Sequence, residues 1–315
     1  MDFTLTDDQL ALSEGVREFC SRRYGEEALR AQTPPDAALW RDVGGLGAFA
    51  LRLAEPDGAG LGVAEAVLAF EELGRALVPG PLVGTHLAAG LVDGAAEGQT
   101  VVGLVDGDSD PVVVEHPGFI TDAVVLRSNQ LRHLPVGAFD GTTAALPVDP
   151  LTPVQRIDGS LPTGDVLSAD ASYLRLVGAA ITAAYQLGMA EAVTTRSVAY
   201  AKEREQFGRP IGTFQAVKHM CADMLVHAEL AKAAVYAAAV TLDDPEVGEP
   251  ARAVTTAKLL ADEAAMLNAK AAIQVHGGMG FTWEMPLHLY LKRAWLLATT
   301  FGTVDENALA LADAV

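Results

Sequence analysis

Apolar residues recur at approximately helical spacing in the first hundred residues. Thr6 is a candidate N-cap for a first helix. A second helix is predicted from Val63 to about Leu77, because Gly62 precedes it and Pro79 follows it. The apolar stripe of this second helix predicts burial of Val67, Phe70 and Leu73. Its charged side chains are predicted to face water or a partner: Glu65, Glu71, Glu72 and Arg75.

The pattern changes to short β-rich runs after Gly98. These runs lie at Thr100–Val105, Pro111–Glu115 and Ala123–Leu126, and turn residues such as Asp106-Gly107-Asp108 separate them. The alternation predicts a small β-domain at about residues 101–160.

Long amphipathic stretches return after about Ala169. Four helices are predicted: from near Ser172 to Lys202, from an N-cap at Thr213, from Pro250 to the Gly277-Gly278 pair, and after Pro286. The first is expected to bury one side, which carries Leu174, Val177, Ile181, Tyr185 and Gly188. A bundle is the natural way to pack four such helices.

Composition excludes several functional classes. The formal charge of −19 argues against binding a nucleic-acid backbone. Only Cys20 and Cys221 occur, without metal-type spacing, so no structural metal site is expected. Residues 1–8 do not resemble a signal peptide, and the Ala-rich runs near 176–190 and 230–241 are expected to fall short of a bilayer span. The sequence therefore predicts a cytoplasmic protein without membrane insertion.

Two motifs carry the functional information. The first is Arg204-Glu205-Gln206-Phe207-Gly208-Arg209-Pro210-Ile211, with Gln215 following, and the second is Gln274-Val275-His276-Gly277-Gly278-Met279-Gly280-Phe281. Together they resemble the carboxy-terminal helical domain of acyl-CoA dehydrogenases. The resemblance extends to Leu61-Gly62-Val63 and Glu71-Glu72-Leu73-Gly74-Arg75. It implies a mainly α fold with a small β-domain: an N-terminal helical domain (1–100), a shortened β-domain (101–160) and a C-terminal four-helix bundle (161–315).

The resemblance implies a contribution to an FAD site at seven positions. These are Arg204, Gln206, Phe207, Gln215, Gln274, Gly277 and Gly278. The permanently charged guanidinium of an arginine can grip two phosphate oxygens. Paired glycines let backbone N–H groups approach a phosphate closely. In the family, these residues reach across a dimer interface to the FAD that is seated mainly in the neighbouring subunit.

The other half of the family's site is not visible in the sequence. Neither the Thr-Glu-Pro-x-x-Gly-Ser-Asp-like segment nor the tryptophan strand of the family occurs between residues 101 and 160. The family's catalytic Glu would fall at Phe301 or, in some members, at Gly178, and neither residue can accept a proton. The nearest acids fall elsewhere: Asp170, Glu191, Asp305 and Glu306. His276 is interpreted as a packed or hydrogen-bonded residue rather than a base.

The resulting hypothesis is a non-catalytic subunit of a heteromeric acyl-CoA dehydrogenase. The resemblance implies an α2β2 tetramer that shares FAD across the subunit interface, with electron-transfer flavoprotein as acceptor and a CoA thioester, such as that of a steroid side chain, as substrate. Two alternatives stay open. One is a homomeric acyl-CoA dehydrogenase with a relocated base, and the other is a non-enzymatic scaffold that has lost flavin.

Overall fold

The computed structural model describes residues 4–135, 137 and 139–313. Contacts between Cα atoms divide the chain into two compact units. One comprises the described parts of Met1–Ala31, Val67–Val78 and Thr182–Val315, and the other comprises Gln32–Ala66 and the described part of Pro79–Ile181. Both units are built from segments that are distant in sequence. The division into domains at residues 100 and 160 therefore stays a prediction.

Helices dominate the described residues. In chain order they are α1 (Asp7–Arg23), α2 (Glu26–Arg30), α3 (Ala37–Gly45), α4 (Val63–Arg75), α5 (Leu82–Ala88), α6 (Ala171–Glu203), α7 (Gln215–Asp243), α8 (Pro250–His276), α9 (Leu287–Leu297) and α10 (Val304–Asp313). The predicted fold class, mainly α with a small β-domain, is confirmed. The last helix, α10, was not predicted.

Most of the predicted helix ends are confirmed. Thr6 forms a capping box with Gln9: the Gln9 N–H donates to the Thr6 hydroxyl at 3.2 Å, and the Thr6 N–H donates to the Gln9 side chain at 3.1 Å. Pro250 begins α8, Gly277 ends it, and Pro286 immediately precedes α9.

The N-cap predicted at Thr213 is wrong. Helix α7 begins at Gln215, after Phe214. Thr213 lies in a 3-10 turn, Ile211–Thr213, and its hydroxyl donates to the Pro210 carbonyl at 2.7 Å. Phe214, one residue after Thr213, therefore occupies the N-cap position of α7.

Helix α4 is buried more completely than its charge pattern suggested. The prediction that its charged residues face water or a partner is wrong for Glu71 and Glu72, which are 4% and 2% exposed. Gly74 and Gly188 explain how α4 and α6 come so close. A Cβ atom at Gly74 would collide with the Tyr185 carbonyl, and one at Gly188 would collide with the Glu71 carbonyl.

Helix α6 is buried around its whole circumference over residues 177–190 rather than along one stripe. Within the described residues, α6 and α7 are also long and apolar enough to cross a membrane, contrary to the expectation that the Ala-rich runs fall short. The apolar window of α6 is 89% buried and that of α7 is 39% buried. By length and composition alone, two such helices are weak evidence for a membrane, and the burial of α6 is that of a core helix.

The β-region lies in the second unit. Its strands are β1 (Val102–Asp106), β2 (Val113–Glu115), β3 (Asp122–Arg127), β4 (Gln130–Pro135), β5 (Gly141–Thr143), β6 (Val154–Ile157) and β7 (Asp165–Val166). One sheet has the order β1-β3-β4-β7, with β1 and β3 parallel, and the other is antiparallel with the order β2-β6-β5. The three predicted runs are confirmed as β1, β2 and β3. The remaining four strands were not predicted.

The predicted acidic turn at Asp106-Gly107-Asp108 follows β1 and is confirmed. The Arg175 guanidinium donates to both carboxylates, at 2.7 Å to Asp106 and 3.4 Å to Asp108. These acids are therefore part of an ion pair within the second unit rather than a phosphate-binding loop.

Candidate functional site

The first motif forms a projecting hairpin after α6. Strands β8 (Glu205–Gln206) and β9 (Arg209–Pro210) pair in antiparallel fashion, and Phe207 and Gly208 form the turn with φ values of 55° and 77°. Two positive φ values define a type I′ turn, in which a residue other than Gly, Asn or Asp is unusual. The Phe207 side chain is 91% exposed. An aromatic ring in a strained turn that points away from the core suggests a role outside this chain's own packing.

Hydrogen bonds hold the Arg204 backbone in place, whereas its side chain has no ion-pair partner among the described residues. Its N–H donates to the Tyr200 carbonyl at 2.8 Å, and its carbonyl accepts from the Ile211 N–H at 2.8 Å. Its guanidinium is exposed and forms no ion pair with any described residue. Gln206 is exposed and donates to the Glu205 carbonyl at 2.8 Å, while Gln215 is exposed at the first position of α7.

The second motif ends α8 in an exposed glycine pair. Gln274 is exposed in the last helical turn. Gly277 has a φ of 58°, which accounts for its being glycine. At Gly278 φ is not positive, and an added Cβ atom would meet nothing within 4 Å. By contrast, a Cβ atom at Gly280 would lie 2.5 Å from the Ile273 carbonyl oxygen. Contacts within the chain thus explain Gly280 but not Gly278.

A stacked ring pair brings the two motifs together. The rings of Tyr200, in the last turn of α6, and His276, in the last turn of α8, lie 4.1 Å apart at an angle of 21°. The His276 Nδ1–H donates to the Ala272 carbonyl at 2.8 Å, and burial lowers the pKa of its imidazole. The interpretation of His276 as a packed residue is confirmed.

Sequence reasoning missed further exposed aromatic residues beside the second motif. Phe281 is 80% exposed and Trp283 is 62% exposed. The Trp283 ring contacts His288 edge to face at 4.6 Å, and the Lys292 ammonium lies 4.9 Å from its centroid. An aromatic residue three positions after a glycine pair was the available indication, but the local pattern did not separate exposed from buried rings.

These groups suit a flavin nucleotide chemically. A free guanidinium, an open glycine backbone and exposed aromatic rings are what a pyrophosphate and an adenosine require. Gly278 is the most informative of these positions, because no atom of the chain lies within 4 Å of where its Cβ atom would be. Among the described residues, no group of three His, Cys, Asp or Glu side chains could hold a metal ion.

Comparison with known proteins identifies the chain. The family model of the acyl-CoA dehydrogenase N-terminal domain matches residues 6–99, and that of the C-terminal domain matches residues 176–315. The chain is 35% identical over 307 residues to the acyl-CoA dehydrogenase IpdE2 of Mycobacterium tuberculosis, covering 92% of both chains. This chain belongs to the acyl-CoA dehydrogenase family. The family consists of flavoprotein oxidoreductases.

The chain is also similar to a longer acyl-CoA dehydrogenase and to solved structures of this family. It is 33% identical to FadE34 of Mycobacterium tuberculosis over 92% of its own length but only 45% of that protein. Among solved structures, it is similar to the steroid acyl-CoA dehydrogenase variant Tcur3481-Tcur3483, with a TM-score of 0.83, 24% identity and 98% coverage of both chains. It is also similar to the ChsE4-ChsE5 complex of Mycobacterium tuberculosis, with a TM-score of 0.79, 21% identity and coverage of 99% and 98%. These structural likenesses show the acyl-CoA dehydrogenase fold.

The resemblance to the family places the catalytic Glu at two positions, which are occupied here by Phe301 and Gly178. Phe301 lies between α9 and α10 with a φ of 60°, and Gly178 is buried in α6. Three of the nearby acids have structural partners. Asp170 accepts from the Tyr173 N–H at 3.0 Å, Glu191 pairs with Arg75 and Lys232, and Glu306 forms a capping box with Thr303. Asp305 is exposed in the first turn of α10.

Proposed function

We propose that this chain is the non-catalytic subunit of a heteromeric, FAD-dependent acyl-CoA dehydrogenase. The observation that carries the proposal is the pair Phe301 and Gly178, because neither side chain can take a proton from a substrate. The exposed motif residues are a second line of support for the proposal. They retain the chemistry of a nucleotide site although their own chain offers them few partners.

The proposed division of labour follows from the chemistry of the reaction. Dehydrogenation of a CoA thioester requires a carboxylate to remove the proton from the α-carbon, and bound FAD accepts the hydride from the β-carbon. In the proposal the partner subunit supplies that carboxylate and the acyl-CoA pocket. This chain holds the pyrophosphate through Arg204 and the backbone of Gly277 and Gly278. Four more side chains line the adenosine end: Gln206, Phe207, Gln215 and Gln274.

The relatives support a two-part assembly. FadE34 is about twice as long as the segment that matches this chain, and ChsE4-ChsE5 is a complex by its name. By analogy we propose an α2β2 tetramer in the cytoplasm, with one FAD shared across each heterodimer. The substrate class would be the CoA thioester of a steroid side chain, as the name of the Tcur3481-Tcur3483 protein suggests. Electron-transfer flavoprotein would be the electron acceptor.

The proposal is tested by purifying the chain alone and together with an acyl-CoA dehydrogenase from the same genome as its catalytic partner. Flavin absorbance per protomer and oxidation of acyl-CoA by a dye are measured for both preparations. We expect a colourless, inactive chain alone, and a complex with one FAD per heterodimer that is active. Full flavin occupancy and turnover in the lone chain would indicate a homomeric enzyme with a relocated base. A complex without flavin would indicate a scaffold.

A further inference from the structure

A cluster of charged residues with buried carboxylates joins four helices of the first unit and is not used by the proposed function. The Glu71 cluster consists of Arg17 on α1, Glu71, Glu72 and Arg75 on α4, Glu191 on α6, and Lys232 and Tyr236 on α7. It contains three carboxylates and three cations, and the Glu229 carboxylate of α7 also acts on Lys232 from the cleft beside them. The three carboxylate side chains are 5%, 2% and 14% exposed at Glu71, Glu72 and Glu191 respectively.

The three carboxylates are compensated unequally. Glu72 accepts two bonds from the Arg17 guanidinium, at 2.7 and 2.9 Å, and a third from Arg75 at 3.1 Å. Glu191 accepts from Arg75 and, at 3.2 Å, from the Lys232 ammonium. Each therefore has a cation of its own in addition to Arg75.

Glu71 has no cation to itself. One of its oxygens accepts from Arg75 Nη2 at 3.0 Å, and the same nitrogen donates to Glu191. Its other oxygen accepts from the neutral Tyr236 hydroxyl at 2.9 Å. The backbone around Glu71 is pressed against α6 at Gly188, so the side chain has little freedom to move away from Glu191.

We propose that Glu71 is a proton-binding switch that sets how firmly α4 is held against α6 and α7. When protonated, its carboxyl group donates to Glu191 and leaves Arg75 to the two remaining carboxylates. When ionised, it competes with Glu191 for the same guanidinium nitrogen, and the two negative charges repel each other. A cleft of about 420 Å³ lined by Arg17, Arg75, Glu191 and Lys232 gives protons a route to the cluster.

The direction of the pH effect follows from the environment of Glu71. Burial and then the charge of Glu191 raise its pKa to about 7 from an ordinary value of 4.5. Burial opposes the ionisation of Glu191 too, but Arg75 and Lys232 outweigh it and hold the pKa of that carboxyl below the ordinary value. The native state thus binds the Glu71 proton more tightly than the unfolded chain does. Its contribution to stability is complete below about pH 4.5 and is lost as the pH rises through about 7.

The test compares melting temperatures of the full chain between pH 5.5 and pH 8 for the wild type, Glu71→Gln and Glu72→Gln. Glutamine reproduces the protonated carboxyl, since its amide can donate to Glu191 and its oxygen can accept from Arg75. We expect the melting temperature of Glu71→Gln, relative to wild type, to increase by at least about 2 °C across this pH range. Glu72→Gln removes a carboxylate of the same cluster and releases Arg75 to Glu71, so its melting temperature should fall less steeply than that of the wild type as the pH rises. A constant difference for Glu71→Gln would overturn the proposal.

A second measurement does not depend on the glutamine variant. The side-chain carboxyl resonance of Glu71 is followed by carbon NMR over the same pH range in the wild type and in Tyr236→Phe. We expect a midpoint near neutral pH that moves upward in Tyr236→Phe, because the hydroxyl that favours the ionised form is gone. A midpoint near the ordinary value for Glu, or one that Tyr236→Phe leaves unchanged, would overturn the proposal. A purely structural role for the cluster would produce neither titration.

Discussion

Three sequence segments shared with acyl-CoA dehydrogenases fall into two groups that differ in where their partners lie. In Glu71–Arg75 on α4, the carboxylates are buried, and each accepts hydrogen bonds from the same chain. In Arg204–Gln215 and Gln274–Gly278, the guanidinium, the aromatic ring and the glycine pair are exposed, and few contacts within the chain account for them. The residues of the first segment find their partners within the chain, whereas those of the other two segments have few partners there.

This difference separates two reasons for a sequence to match a family. A residue whose hydrogen bonds close within the chain stabilises the fold, so the chain alone reveals its contribution. A strained or exposed residue that few contacts in the chain explain is the kind of residue that we propose acts outside the chain. Substitutions in the Glu71 cluster should therefore change stability, whereas substitutions at the exposed motif residues should change cofactor retention.

The largest expected effect tests the Glu71–Arg75 segment. Arg75→Ala would leave three buried carboxylates without their common cation, which costs about 3 kcal/mol when a buried ion pair loses one partner. Denaturant unfolding of the isolated chain measures this loss. A change below about 1 kcal/mol would show that the cluster is not closed in the way described.

Two glycines of the second motif, Gly278 and Gly280, sharpen the comparison. Gly280→Ala would place a Cβ atom 2.5 Å from the Ile273 carbonyl oxygen, and we expect a loss of roughly 2 kcal/mol in stability from overpacking. Gly278→Ala adds a Cβ atom in open space, so the free energy of unfolding should stay within about 0.5 kcal/mol of wild type.

The Gly278→Ala variant should nevertheless weaken retention of FAD in the complex, because its Cβ atom would stand between the backbone and the phosphate. Denaturation of the chain and flavin content of the complex together show whether Gly278 serves stability or FAD binding. Unchanged flavin retention would mean that the backbone at Gly278 does not approach the cofactor.

The smallest expected effect concerns the hairpin turn. Phe207→Gly relieves a left-handed conformation at a non-glycine residue and should stabilise the isolated chain by about 1 kcal/mol. Gly208→Ala, at the neighbouring position of the same turn, should destabilise it by a similar amount because its φ is 77°. If Phe207→Gly stabilised the chain and also left the complex fully flavinated, the strained ring would have no role in the partner's site.

The sequence predicted helices best where a capping residue, a proline or a glycine marks the helix end. Thr6, Pro250 and Gly277 mark helix ends through local hydrogen bonds and dihedral angles, and all three are confirmed. Thr213 has the same local chemistry as Thr6, but the 3-10 turn places it one residue before the N-cap position, which Phe214 occupies. Local propensity could not distinguish the two.

Burial of charge and exposure of aromatic rings were the errors that a sequence pattern could not prevent. Glu71 and Glu72 look solvated on a helical wheel, because the Arg17 guanidinium that pairs with Glu72 and the Tyr236 hydroxyl that donates to Glu71 come from α1 and α7. Phe207 could as easily have been core, since only the type I′ turn turns it outward. The first outcome depends on tertiary contacts and the second on a local turn, and hydrophobic periodicity shows neither.

The central claim is that this chain's exposed motif residues complete a flavin site in a partner, and Arg204 tests it most directly. Arg204→Ala is compared with Arg252→Ala, an exposed arginine in the first turn of α8, at the opposite end of that helix from Gly277. Each variant is assembled with the wild-type partner, and the equilibrium retention of FAD is measured by flavin absorbance after dilution. We expect Arg204→Ala to weaken FAD binding at least about tenfold, the size of one charge-assisted hydrogen bond, and Arg252→Ala to leave it unchanged. Equal FAD affinity in the two assembled complexes would contradict the account.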